Sequence, residues 1–288
     1  MSAGRGGRVA PGPGPVTGRT PGGIRYAVHG TGEPVVLVAG GGGSGAIWEA
    51  RQVPAFTAAG HQVITFDHRA PGSASASASA SASAEDLADD VREVTAALDL
   101  PPCRLVGHSF GALAVQELLL ADPSAATAAV LAATRGRPDT VGDALARAER
   151  AAAERDLRLP AAYEAVVRMT QNLSPRTLAD EAAAEEWLDL FELSALSGGP
   201  AVRPVRPLTR NRLPAYAAIT APVLVVGFAD DLLAPARLGR EVAAAVPGGR
   251  YLELADCGHL GFLERPEAFN EAVLTFFETT PTGDPHAL

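Results

Sequence analysis

The 288-residue chain contains no lysine, and all 24 of its basic residues are arginine. A phosphate loop of the G-K-[ST] kind is therefore excluded, because its lysine reaches the phosphates. With the abundance of Ala, Gly and Pro, the arginine bias reads as a GC-rich coding sequence and carries no mechanism. Acidic residues outnumber basic ones, for a net charge of −9. No basic stripe is present, so nucleic acid is not an expected partner. Cysteine is scarce: Cys103 and Cys257 have no metal-ligand spacing and form no disulfide framework. No metal and no cofactor are implied. Apolar runs are short of the ~18–20 residues that a membrane helix needs. At the N-terminus, Gly and Pro surround Arg5 and Arg8 where a signal peptide would need its apolar stretch. These absences predict a soluble, cytoplasmic protein with no membrane partner; its oligomeric state is open.

What is present is a hydrophobic fraction of 47% on a chain long enough for a sizeable core. Residues 1–21 form a Gly/Pro/Arg-rich arm without apolar periodicity and are expected to be disordered, as is a tail over 280–288. Between them, short apolar runs alternate with helical patterns, which predicts an α/β fold: a mostly parallel twisted sheet flanked by helices. The expected strands are Ile24–His29, Pro34–Ala39, Gln62–Phe66, Cys103–Val106, Ala129–Ala132, Val223–Val226 and Tyr251–Leu254. Leu87, Val91, Val94 and Leu98 mark one covering helix, and Phe110 to Leu120 another. The alternation fails over 134–220, an Ala- and Arg-rich helical stretch too large for one crossover. It is expected to be a helical cap inserted between two blocks of core, 22–133 and 221–279. Ser73 to Ala84 is a Ser-Ala repeat with no burial stripe, expected to be a flexible loop.

Gly107-His108-Ser109-Phe110-Gly111 matches G-x-S-x-G. Roughly 0.14 such matches arise by chance in a chain with this many serines and glycines, so context must decide. Leu105-Val106 ends a strand and Ala112 opens a helical pattern, which puts Ser109 on a sharp strand-to-helix turn. Val35 to Val38 runs into Ala39-Gly40-Gly41-Gly42-Gly43-Ser44, a strand followed by glycines that leave backbone N–H groups uncovered. An oxyanion hole needs such a donor, together with the N–H of Phe110 after the nucleophile. Gly40, Gly42 and Gly45 also fit a dinucleotide G-x-G-x-x-G, but no acidic residue follows at a convincing strand end, although Asp67 lies near the expected distance. Asp230 and Asp231 follow the run Val223–Gly227, and Gly258-His259 follows the last strand. The order Ser, Asp, His, each at the carboxyl end of a strand, suits a nucleophile, an orienting acid and a general base.

These stretches together (VVLVAGGGGSGAIW, FDHRAPGS, LVGHSFGAL, PVLVVGFADDLLAP and GHLGFLERPEAFNEAVLTFF) resemble the α/β-hydrolase superfamily, and within it capped esterase- and thioesterase-like hydrolases. The resemblance runs from about Ile24 to Phe277. It implies oxyanion donors at Gly41 and Phe110, and it favours Asp231 over Asp230, because Asp231 and Pro235 fit the D-x-x-x-P spacing. Two departures stand out. Ala39-Gly40 replaces the usual His-Gly, and Asp67-His68-Arg69-Ala70 replaces Asp-x-Arg-Gly. A serine nucleophile in place of aspartate argues against dehalogenase and epoxide hydrolase chemistry.

The expected activity is hydrolysis of an ester, thioester or lactone of an apolar small molecule through an acyl-Ser109 intermediate. The acyl substrate is the expected partner, in a pocket lined by Trp48, Phe228, Trp187 and Phe191. An acyl transferase, cyclase or eliminating lyase of specialised metabolism would use the same residues. A catalytically silent binding protein is the third possibility, and the intact Ser-Asp-His set speaks against it.

Overall fold

The computed structural model describes residues 14–41, 43–69, 82–155, 157, 159–196 and 206–280. Eight strands form one sheet: β1 (Val16–Arg19), β2 (Arg25–His29), β3 (Glu33–Val38), β4 (His61–Phe66), β5 (Cys103–His108), β6 (Ala126–Ala132), β7 (Val223–Phe228) and β8 (Arg250–Leu254). Their order is β1-β2-β4-β3-β5-β6-β7-β8, with β2 antiparallel to both β1 and β4 and the remaining pairs parallel. The interior strands β5 and β7 are buried at every position, as strands covered on both faces must be.

Alternate side chains divide the core in two. Val35, Leu37, Val63, Val106 and Val226 face α1 (Gln52–Ala58), and they share that layer with a helix at the C-terminal end of the chain. Val36, Val38, Ile64, Leu105 and Val225 face α2 (Ala84–Ala97) and α3 (Phe110–Ala121). Between β6 and β7 the chain forms α4 (Thr140–Glu154), α5 (Ala161–Asn172), α6 (Pro175–Leu178) and α7 (Glu181–Leu196). The fold then closes with α8 (Ala236–Ala245), α9 (Gly261–Glu264) and α10 (Pro266–Glu278). Phe269, Val273, Phe276 and Phe277 of α10 are fully buried against the sheet, each contributing about 1.5–3 kcal/mol. No helix among the described residues is long and apolar enough to cross a membrane.

All seven expected strands form, with ends within three residues of the sequence expectation. Four boundaries need correction. The arm expected to be disordered through residue 21 contains β1, whose Gly18 pairs with Tyr26. The Tyr26 hydroxyl lies 2.4 Å from where a Gly18 Cβ would be, so the tyrosine covers a strand glycine that has no side chain of its own. The Ser-Ala run ends in order as well. Ser83 caps α2, its Oγ accepting from the Asp86 N–H (3.1 Å) while Asp86 accepts from the Ser83 N–H (2.8 Å). Its earlier residues, 73–81, lie outside the described residues, as do 1–13 and 281–288. Thr280 is ordered, its hydroxyl donating to the Phe276 carbonyl at 2.7 Å. The expected cap also reaches too far. Tyr216 and Ile219, in and after a 3-10 helix at Leu213–Ala218, are fully buried in the main core.

Candidate active site

Ser109 stands between β5 and α3 at φ 54° and ψ −117°, in the left-handed region that a residue with a Cβ adopts only under constraint. The constraints are visible. The Ser109 N–H donates to the Ala132 carbonyl at 2.9 Å, and its own carbonyl receives the Ala112 N–H at 3.0 Å. A Cβ on Gly107 would lie 2.7 Å from the Ala112 Cα, and one on Gly111 would lie 2.2 Å from the Val38 carbonyl oxygen. Both glycines of the motif are therefore needed so that strand, turn and helix can pass this closely.

The turn aims the serine at His259. The Ser109 hydroxyl donates to His259 Nε2 over 2.9 Å, and His259 Nδ1–H donates to Asp231 Oδ2 over 2.8 Å. The other oxygen of Asp231 accepts the N–H groups of Leu233 and Ala234, each at 2.8 Å. Burial raises the Asp231 carboxyl, but the adjacent His259 ring and these N–H donors outweigh it, so the group sits below the ordinary carboxylate range. Asp230 takes no part in this chain. Its backbone N–H donates to the Cys257 carbonyl at 3.0 Å, bracing the loop that carries the histidine. Of the two candidate acids, the geometry pairs His259 with Asp231.

The glycine loop after β3 crosses over the serine. A Cβ on Gly40 would lie 3.4 Å from the Ser109 Cβ, and Gly41 follows it into an exposed position. Phe110 is the first residue of α3, so its backbone N–H belongs to the unsatisfied set at a helix start, while its side chain is buried in the core. The two sequence departures meet here. The Ala39 carbonyl pairs with His68 Nε2 at 3.0 Å, and Asp67 accepts from the Gly45 N–H (3.2 Å) and the Ser44 hydroxyl. The stretch after β4 thus braces the glycine loop from outside.

Two expected pocket residues are corrected. Trp48 is fully buried, its ring 4.6 Å from Phe262 and 6.5 Å from His108. Phe228 is also fully buried, packed against Phe269 and under Gly261, where a Cβ would strike its ring at 2.4 Å. Both are core residues beneath the site, because a strand end and a 3-10 helix can turn an aromatic inward as readily as outward. Trp187 and Phe191 are half-buried on α7 and stack on each other at 5.8 Å.

Sequence reasoning left His108 as the variable letter of the motif. In the structure it is buried, and its Nε2–H donates to the His259 carbonyl at 2.8 Å. Burial, and then the neighbouring His259 ring, push its imidazole down to about 3, so it is neutral at physiological pH. Its position inside G-x-S-x-G was the available signal, but the contact spans 151 residues and is invisible to spacing. Cys257 and Cys103 are buried, and burial pushes both thiols up to about 12, which leaves neither as a thiolate nucleophile.

The fold has relatives among known proteins. The α/β-hydrolase-fold profile matches residues 33–266. The chain belongs to the α/β-hydrolase-fold family. This hydrolase is 45% identical over 257 residues to BpoC of Mycobacterium tuberculosis, a protein named as a non-heme bromoperoxidase, covering 88% of this chain and 97% of BpoC. The crystal structure of BpoC superposes with a TM-score of 0.83 over 90% of this chain and 96% of that one, at 43% identity. RutD of Variovorax paradoxus, named as a carbamate hydrolase, is 31% identical over 88% of this chain and 95% of its own. Est816, described as degrading N-acyl homoserine lactones, is 26% identical with a TM-score of 0.69, over 88% of this chain and 96% of its own.

Proposed function

We propose that this enzyme is a serine hydrolase that cleaves an ester, thioester or lactone of an apolar small molecule through an acyl-Ser109 intermediate. The observation that carries the reading is the unbroken chain Ser109 Oγ–His259–Asp231, with links of 2.9 and 2.8 Å. Ser109 Oγ attacks the carbonyl carbon as its proton passes to His259 Nε2, and Asp231 stabilises the imidazolium that forms. The oxyanion is received by the N–H groups of Gly41 and Phe110. Collapse breaks the bond to the leaving alcohol or thiol, which takes the proton from His259. Water, activated by the same histidine, then releases the acid and restores Ser109. Carbamates and lactones, the substrates in the names of RutD and Est816, present the same kind of acyl carbon.

The helices between β6 and β7 act in this reading as a cap, with Trp187 and Phe191 meeting the acyl group. Support comes from their reach: the Asn172 carbonyl accepts the Leu260 N–H at 3.1 Å, next to His259. The test is labelling with a fluorophosphonate followed by peptide mass spectrometry. Wild-type protein is expected to carry the adduct on Ser109, and Ser109→Ala should lose both labelling and turnover by several orders of magnitude. Wild-type turnover in Ser109→Ala would overturn the mechanism. Products formed in water with an added alcohol or amine then separate hydrolysis from acyl transfer.

A further inference from the structure

Glu264 closes α9, five residues after His259, and it takes no part in the chemistry above. Its Oε2 accepts the N–H of Gly258, the residue before the histidine, at 2.6 Å. Its Oε1 accepts both the N–H (2.9 Å) and the Oγ–H (2.8 Å) of Ser174, which is fully buried and caps α6 in the helical insertion. On the other side of His259, the Leu260 N–H donates to the Asn172 carbonyl. The histidine is therefore flanked by two residues tied to the three-residue segment 172–174 of the insertion. The fit is close: a Cβ on Gly258 would lie 2.6 Å from the Asn172 oxygen and 2.8 Å from the Leu173 carbonyl carbon. The third support of the histidine comes from below, where His108 holds its carbonyl.

We propose that Glu264 is a positioning residue that clamps the His259 loop to Ser174, so that the general base and the helical insertion are set as one unit. The proposal rests on His259 being the base of the reaction. Three hydrogen bonds converge on two carboxyl oxygens, both of them acceptors. A glutamine at 264 can serve one side only, since its NH2 must face either the Gly258 N–H or the Ser174 donors. The loop then shifts on that side, and His259 leaves its 2.9 Å contact with Ser109. A misplacement of about 1 Å costs on the order of 100-fold in rate. Binding of a small reagent at Ser109 depends little on this contact.

The test compares wild type with Glu264→Gln and Ser174→Ala, using saturable inactivation by a fluorophosphonate well below each protein's melting temperature. For Glu264→Gln the maximal inactivation rate should fall about 10–100-fold while the half-saturating concentration stays within about threefold. Ser174→Ala keeps the Gly258 bond and should show the same split with a smaller loss, which keeps the proposal testable if Glu264→Gln fails to fold. A wild-type maximal rate in both variants overturns the clamp. So does a loss confined to the half-saturating concentration, or one that appears only as the protein melts. Ser109→Ala run beside them separates this failure from the other: if that variant is labelled like wild type, it is the reading of the site that falls.

Discussion

His108 allows a quantitative test of how this site is built. Its imidazole is 3% exposed and held down to about 3, against an ordinary value of 6.5, by burial and by the His259 ring 4.8 Å away. In the unfolded chain the same group titrates near its ordinary value. Between about pH 3 and 6.5 the unfolded state therefore binds the extra proton, and stability falls as pH falls. The contribution is fully present above pH 6.5 and is lost progressively toward pH 3. At pH 5 the loss from this one group is about 2 kcal/mol. His108→Gln removes the titration while keeping an N–H that can donate to the His259 carbonyl. Urea unfolding of both proteins at pH 8 and pH 5 gives four free energies, and the carboxylates and the other histidines cancel in the comparison. Whatever the variant loses at pH 8, the gap between the two proteins should move in its favour by about 2 kcal/mol at pH 5. Parallel pH dependence in the two proteins would refute the neutral, buried His108.

The remaining expectations concern the acid, the cap and the floor of the site. Asp231→Asn should lower kcat by roughly 10⁴-fold by favouring the wrong tautomer of His259, whereas Asp230→Asn should be mild; the reverse order in steady-state kinetics would reverse the assignment. Trp187→Ala and Phe191→Ala should change the ratio of kcat/KM between long and short acyl substrates by about 10–200-fold, and equal loss on both substrates would deny them a place in the pocket. Phe228→Ala should cost about 3–5 kcal/mol in unfolding free energy and leave that acyl preference unchanged, because the ring fills core and not pocket; unaltered stability with altered preference would restore it as a pocket wall.

The elements that could be read from the sequence are those whose identity is set by local rules. The buried strands β3 and β7 carry unbroken apolar runs, Val35–Val38 and Val223–Phe228, because both of their faces are covered, and the runs remain legible without any knowledge of the partner helices. β1 was not legible. VTGR has exposed side chains, and it is a strand through its ladder with β2 and through the cover Tyr26 gives to Gly18, both of them contacts with another segment. The expected end of the cap failed for a related reason. Leu213–Ala218 is helical like the insertion before it, and only the packing of Tyr216 beside Gln116 reveals that it belongs to the core.

The same division runs through the site. The juxtaposition of Ser109, Asp231 and His259 could be anticipated because each sits in a particular backbone setting, a strained turn or a loop at a strand end, and such settings leave glycines, prolines and strand ends in the sequence. Gly107 and Gly111 are two such marks, since a Cβ on either would lie 2.7 or 2.2 Å from facing backbone. The residues that hold the histidine from three directions leave no comparable mark. His108 reaches the loop's backbone with its ring and Asn172 with its own carbonyl, and Glu264 spans 90 residues to reach Ser174. Trp48 and Phe228 went astray for the complementary reason: large apolar side chains near a site satisfy the same hydrophobic rule whether they wall a pocket or fill the core beneath it. For a candidate site of this kind, the groups proposed to do chemistry are written locally, and the groups that hold them are written in the packing.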